Sequence, residues 1–312
     1  PERGSGARGG SASSGQNPGL MISVVIPFFN RIELTRRAVG SVLHQAGADF
    51  ELIVVDDGST EDPGPIRELV EQARQGYLRT PNRGPGPARN AGARNASGRL
   101  LAFLDSDDLW MPGKLERQLA CMRAQPRLRL CQCREIWFRG ERRVNPPSRH
   151  EMSEGDLFGR SCQAVCISSS SVVLDAELFG EMGGFDEKLL VCEDYDLWLR
   201  VCRAHRVGLV PERLVVKHGG HEDQMSRRYP AMDRFRLYAL VKLLLQADLT
   251  VEQRERALES AVEKARILAA GAAGKGRPSA AAYRQFEAWL RESGPDPARV
   301  LEALAERLGA EP

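Results

Sequence analysis

Leu52-Ile53-Val54-Val55-Asp56-Asp57-Gly58-Ser59 is the stretch on which the fold turns. Four apolar residues run without a polar one between them, three of them β-branched. A strand with one face in water would alternate, so this run reads as a strand covered on both faces. The Asp-Asp-Gly-Ser cluster that closes it is turn chemistry, and it hangs carboxylates on the end of a buried strand.

Working outward, the pattern repeats. Upstream, Ile22-Ser23-Val24-Val25-Ile26 is a second apolar run, closed by Pro27 and Asn30. Between the two runs, Leu34, Ala38 and Val42 share one stripe at helical spacing, with Val39 and Leu43 beside it. The two strands lie about one βαβ unit apart, near the ~30 residues such a unit needs. Downstream come a helical face (Ile66, Leu69, Val70, Ala73), a short strand near Tyr77-Leu78, a small-residue helix around Ala88 to Ala96, and a third strong strand, Leu100 to Leu104, ending in Asp105-Ser106-Asp107-Asp108. Alternating β and α elements imply an α/β fold, a mainly parallel sheet flanked by helices on both faces.

Beyond the helix bearing Leu115, Leu119 and Met122 the pattern loosens, and the Arg- and Pro-rich stretch Arg139 to Arg149 reads as an exposed loop. A strand-like run covers Ile167 to Leu174, a helix is expected over Asp194 to Ala204, and Leu214-Val215-Val216 reads as a late edge strand. From Met232 onward the spacing predicts helices alone. The expected division is a disordered tail over residues 1–20, an α/β domain over 21–230 and an all-α appendage over 231–312.

Composition narrows the classes. A chain of 312 residues that is 42% apolar and 28% charged is that of a globular protein. Its net charge of +2 provides no global field for nucleic acid, so no nucleic-acid partner is expected. Seven cysteines without paired C-x-x-C spacing read as reduced thiols in a cytoplasmic protein. No apolar run reaches the ~18 to 20 residues that span a bilayer, so work at a membrane would be peripheral to its inner face.

In an open parallel sheet, ligands bind outside the carboxyl ends of the strands. Pro27 to Asn30, Asp56 to Ser59 and Asp105 to Asp108 each follow an apolar run, so three polar clusters share one edge of the sheet. Asp105-Ser106-Asp107 has the D-x-D spacing that presents two carboxylates to a hard divalent cation, which can in turn bridge to a diphosphate. Turn-forming aspartates that cap the next helix would look the same. Two other signals lead nowhere: Gly84 to Arg89 lacks the third glycine of a dinucleotide fingerprint, and Gly274-Lys275 is followed by glycine where a P-loop needs Ser or Thr. Trp110 and Trp198 could stack on a sugar, but both sit at apolar helix positions that suit core packing.

Between Ile22 and Met122 stand the motifs V-V-I-P-F-F-N (24–30), S-V-L-H-Q (41–45), F-E-L-I-V-V-D-D-G-S-T (50–60), G-P-A-R-N-A-G (86–92) and F-L-D-S-D-D-L-W (103–110), followed by G-G-F-D-E (183–187) and C-E-D-Y-D-L-W-L-R (192–200). In these motifs the chain resembles the family 2 glycosyltransferases. The resemblance covers roughly residues 22 to 220 and fades in the helical tail. It implies a GT-A fold and an inverting sugar transfer from a nucleotide diphosphate, UDP first among the candidates, to a glycan or lipid-linked acceptor in surface polysaccharide assembly. By the same resemblance Pro27 and Phe29 line the nucleotide pocket, Asp57 meets the base, Arg89 the diphosphate or ribose, and Asp105 the ribose or the metal. Asp107 binds Mn²⁺ or Mg²⁺, Asp194 of the Glu193-Asp194 pair is the general base, and His221 is a late metal ligand.

Residue chemistry alone keeps rivals open. Glu193 and Asp194 would also favour a helix N-terminus, and the His218/His221 loop could simply be polar. A glycoside hydrolase also uses two carboxylates but needs no diphosphate-metal site, while a nucleotidyltransferase would carry a Gly-rich N-terminal loop that is missing here. A catalytically degenerate sugar-nucleotide-binding or scaffold protein is the non-enzymatic alternative. The helical tail suits docking, homodimer formation or covering the acceptor groove.

Overall fold

The computed structural model of the chain describes residues 20–146, 148–220, 229, 231–245, 248–291 and 302–306. Its first part runs β1 (Ile22–Phe28), α1 (Ile32–Leu43), β2 (Phe50–Asp56), α2 (Gly64–Gln72), β3 (Gly76–Arg79), α3 (Pro85–Arg94) and β4 (Leu100–Phe103). There follow β5 (Leu109–Trp110), α4 (Lys114–Ala124), β6 (Leu130–Arg139), β7 (Arg142–Val144), α5 (Phe158–Gln163), β8 (Val172–Asp175), α6 (Ala176–Glu181), α7 (Glu193–Cys202) and β9 (Gly208–Gly219). Three further helices are α8 (Asp233–Leu244), α9 (Val251–Ala273) and α10 (Ser279–Arg291).

The strands form one sheet in the order β3-β2-β1-β4-β8-β6-β9-β5, with β7 hairpinned onto β6. From β3 to β4 every pairing is parallel. Beyond β4 the sheet is mixed: β8 is antiparallel to β4 and β6, β9 is parallel to β6, and β5 is antiparallel to β9.

Period-two alternation in the central strands sends side chains into two cores. Val24, Ile26, Leu52, Val54, Leu100 and Ala102 pack on the α1, α2 and α4 side with Ala38, Val42, Ile66 and Leu119. Val25, Ile53, Val55, Leu101 and Phe103 face α3 and α7, and this second core continues without a break through Phe235, Leu240, Ala261 and Tyr283 of α8 to α10. Close approach of α3 to the sheet depends on Gly92, where a Cβ would stand 2.3 Å from Val25 Cγ1.

Several expectations shift. β6 escapes the apolar-run test because Leu130-Cys131-Gln132-Cys133-Arg134-Glu135 mixes polar residues into a strand whose first four positions are all buried. The predicted exposed loop from Arg139 therefore contains a β-hairpin tip, β7, at Arg142–Val144. Of the run Ile167 to Leu174, Ser169–Ser171 form a 3₁₀ turn and the strand begins at Val172. The late strand is twelve residues long and interior, flanked by β6 and β5. Of the expected tail over residues 1–20, all but Leu20 lie outside the described residues.

Candidate active site

The carboxyl ends of β1, β2 and β4 converge, as parallel pairing requires. Phe28 is in register with Asp56, and the Asp57 amide donates to Phe28 O at 2.8 Å. Where β1 ends, Asn30 and Arg31 both take left-handed backbone (φ 56 and 59), a conformation that costs a non-glycine residue on the order of 1–3 kcal/mol and is commonly held in place at functional loops. Asn30 is the clamp that holds it: its side-chain oxygen accepts from the amides of Thr60 (2.9 Å) and Glu61 (3.1 Å), and its own amide donates to Ser59 Oγ at 2.8 Å. The first two strand-end loops are thereby tied together.

Asp57 is buried, and its two carboxylate oxygens accept from the Arg83 amide (3.0 Å) and the Gly84 amide (2.8 Å). Burial lifts its carboxyl above the usual carboxylate range against the pull of those two amides. Phe29, just past the end of β1, is 37% exposed, whereas Pro27 is buried inside β1.

The acidic loop after β4 gathers three carboxylates, Asp105, Asp107 and Asp108, with one oxygen of each within 4.8 Å of the others. This all-oxygen set fits a hard divalent cation such as Mg²⁺ or Mn²⁺. Three basic side chains surround it. Arg31 Nη1 lies 3.0 Å from Asp107 Oδ2, Arg89 Nη2 lies 2.5 Å from Asp105 Oδ1, and Lys217 Nζ lies 3.1 Å from Asp108 Oδ2. Burial raises the Asp107 carboxyl, with Asp105 adding to the effect and Arg31 opposing it. The Asp105 carboxyl is held low, because Arg89 and Lys217 outweigh its desolvation.

Arg89, buried in α3, links this loop to the helix that carries the Glu193-Asp194 pair. Its Nη1 donates to Glu193 Oε1 at 2.6 Å while Nη2 holds Asp105, and the guanidinium lies 5.2 Å from the Phe185 ring centroid. Burial pulls the Arg89 pKa down, but Asp105 and Glu193 outweigh it and hold the guanidinium above its usual value. The α7 helix begins behind Cys192, another left-handed non-glycine residue (φ 61), so Glu193 and Asp194 project from a sharp corner. Glu193 turns to Arg89. Asp194 is only partly buried, and the one hydrogen bond recorded for its carboxylate is from the Tyr195 amide to Oδ1, at 2.7 Å. Burial raises its pKa, a trend that Arg89 and the Tyr195 amide oppose and Asp105 reinforces.

Thus Asp57, Asp105 and Asp107 follow strand ends on one edge of the sheet, and Arg89 links Asp105 to Glu193, the neighbour of Asp194. Arg89 spends both terminal nitrogens on protein carboxylates, a strut between loop and helix. His221 lies outside the described residues. Trp110 and Trp198 are core residues, 4% and 1% exposed. Sequence reading placed Asn30 in a strand-end cluster without giving it a role, and passed over Arg31 and Lys217. Their signal was weak: a lone Asn-Arg after a strand, and one lysine in a valine-rich strand, gain meaning only when distant loops meet.

Residues 23–173 match the family model described as Glycosyl transferase family 2. An uncharacterized glycosyltransferase of Rickettsia bellii is 33% identical over 203 residues, covering 62% of this chain and 28% of the relative. The chain thus matches about a third or less of the length of the Rickettsia bellii and Rickettsia felis relatives (28% and 32%). An Escherichia coli protein named UDP-Glc:alpha-D-GlcNAc-diphosphoundecaprenol beta-1,3-glucosyltransferase WfgD is 28% identical over 191 residues, covering 61% of this chain and 73% of that one. Among solved structures, Staphylococcus aureus TarS 1-349 in complex with UDP-GlcNAc superposes with a TM-score of 0.65 at 19% identity, covering 92% of each chain. The fold is GT-A-like, and residues 23–173, which carry the motifs at the strand ends, match glycosyl transferase family 2.

Proposed function

We propose that the chain is an inverting glycosyltransferase that moves a sugar from a nucleoside diphosphate, UDP foremost, to an acceptor hydroxyl of a glycan or lipid-linked glycan in surface polysaccharide assembly. The observation that carries this reading is the Arg89 strut, which ties Asp105 of the acidic loop to Glu193, the neighbour of the partly buried Asp194. The UDP-GlcNAc seen in TarS and the lipid-linked acceptor in the Escherichia coli relative's name support the donor and acceptor classes.

Asp57 and the exposed ring of Phe29 hold the base. Asp105 and Asp107 would hold Mn²⁺ or Mg²⁺, which supplies positive charge to the departing diphosphate. Asp194 accepts the proton of the acceptor hydroxyl as that oxygen bonds to the anomeric carbon; the anomeric C–O bond breaks on the opposite face, its electrons leave with the nucleoside diphosphate, and the configuration inverts. A carboxylate with a raised pKa is a better base than an ordinary one. Glu193 acts through Arg89 as a positioning residue.

Asp194→Asn tests the assignment. With donor and acceptor supplied, turnover should fall by about 10²–10⁴-fold while UDP affinity is retained. Unchanged turnover in this variant removes Asp194 from the reaction. Wild type that binds nucleotide yet transfers no sugar to any acceptor offered would point to a binding protein.

A further inference from the structure

The three clustered carboxylates invite a three-ligand metal site, but their surroundings separate them. Asp107 and Asp105 are open, with side chains 19% and 29% exposed. Asp108 is closed, at 1%, and three contacts already occupy its carboxylate: Oδ2 accepts from Ser170 Oγ at 2.7 Å and from Lys217 Nζ at 3.1 Å, while Oδ1 accepts from the His218 amide at 3.3 Å. The pairing of Leu109 with Val216 seats the far end of β9 against the acidic loop, and Lys217 is the next residue.

Lys217 has capacity to spare. An ammonium carries three donors. Two are used, on Asp108 Oδ2 and on Ser168 Oγ, each at 3.1 Å. Asp105 Oδ2, at 3.8 Å, attracts the ammonium but is beyond hydrogen-bond reach. The side chain keeps 26% exposure at the open side of the loop. A diphosphate brought to Asp105 and Asp107 by a divalent ion would arrive beside this third donor.

We propose that Lys217 is a diphosphate-binding residue of the site, and that it takes Asp108 out of the metal's ligand set by pairing with it. The inference rests on the glycosyltransferase reading above. The cation site then has two carboxylates, Asp105 and Asp107, and the donor's charge is met by a fixed ammonium as well as by the metal.

The test uses the full chain, with UDP and Mn²⁺ as probes. Calorimetry measures UDP binding in chelator, and electron paramagnetic resonance measures Mn²⁺ binding in the presence of UDP. The variants are Lys217→Met, Asp108→Asn, Asp107→Ala and the double variant Lys217→Met/Asp108→Asn, which removes the buried pair together and leaves no unpaired charge. The expected result is that Lys217→Met and the double variant each weaken metal-free UDP binding by about tenfold or more. Asp108→Asn should hold Mn²⁺ within about threefold of wild type, and Asp107→Ala should lose it. A double variant that binds UDP as wild type does would reduce Lys217 to a prop for Asp108. Loss of Mn²⁺ in Asp108→Asn equal to that in Asp107→Ala would make Asp108 a ligand. Either overturns the proposal while leaving the transferase reading intact; wild type that binds no nucleotide under any condition sinks both.

Discussion

At the scale of single residues, the account turns on charge pairs held away from water. Arg89 is the sharpest case, since its two carboxylate partners come from an acidic loop and a helix that are 88 positions apart in the chain (Asp105 and Glu193). Removing one partner of a buried pair typically costs about 3–5 kcal/mol, because the other charge is left stranded. Arg89→Met should therefore lower unfolding stability by about that amount in denaturant titration, and a loss below about 1 kcal/mol would mean that the pairs are screened as at a surface. Asp194 supplies a pH test. Its pKa is raised by burial, and a base works only when deprotonated, so kcat/KM should be full above that pKa and fall as pH drops through it. The acidic limb should lie above the ordinary aspartate value of about 4; a limb at or below that value would show that Asp194 is ordinary or is not the base. Asp57, Asp105 and Asp107 were legible in the sequence because their clusters follow apolar runs, and Glu193 and Asp194 only through the family resemblance. Their counter-cations were not. Arg31 and Lys217 sit in unremarkable local contexts and become site residues only through loops 76 and 109 positions away (to Asp107 and Asp108).

At the scale of elements, legibility followed burial. β1, β2 and β4 are covered on both faces and read as continuous apolar runs, and the helices between them as stripes. β6 broke the pattern. Gln132 is fully buried in it, its Nε2 donating to Ser153 O at 2.9 Å, so a polar residue occupies an interior strand position and interrupts the apolar run by which a buried strand is read. The length of β9 was hidden for a related reason: Pro211-Glu212-Arg213 interrupts the apolar run, and the register with β6 shifts there by a bulge. Seating of α3 is testable. Gly92→Val would drive its Cβ into Val25, 2.3 Å away, with Val55 also close. Pushing α3 off the sheet should cost about 1–3 kcal/mol or more and move Arg89 with it, so nucleotide binding should weaken beyond what stability alone explains. Binding unchanged in a folded variant would show that α3 does not set the position of the strut.

At the scale of the whole molecule, the boundary between the α/β part and the helical tail is softer than composition suggests. Sequence periodicity separates them near residue 231, yet α8 packs on α7 through the core that contains Trp198 and Leu240, and Lys242 of α8 pairs with Asp186 at 2.7 Å and with Asp196 at 2.8 Å. Such long-range pairing leaves no local mark in the sequence. A shared core predicts one cooperative thermal transition for the full chain, checked by scanning calorimetry, and a form ending at residue 230 that exposes apolar surface and aggregates. Two separate transitions would instead favour two independent domains. No helix of the described residues is long and apolar enough to cross a membrane.

The most direct test of the central claim is calorimetric titration of UDP, GDP and dTDP into the wild-type chain and Asp107→Ala, each with and without Mn²⁺. The account predicts that one nucleotide binds, that Mn²⁺ tightens it, and that the metal-dependent gain disappears in Asp107→Ala. Binding of no nucleotide under any of these conditions would contradict it and return the acidic loop to a structural turn.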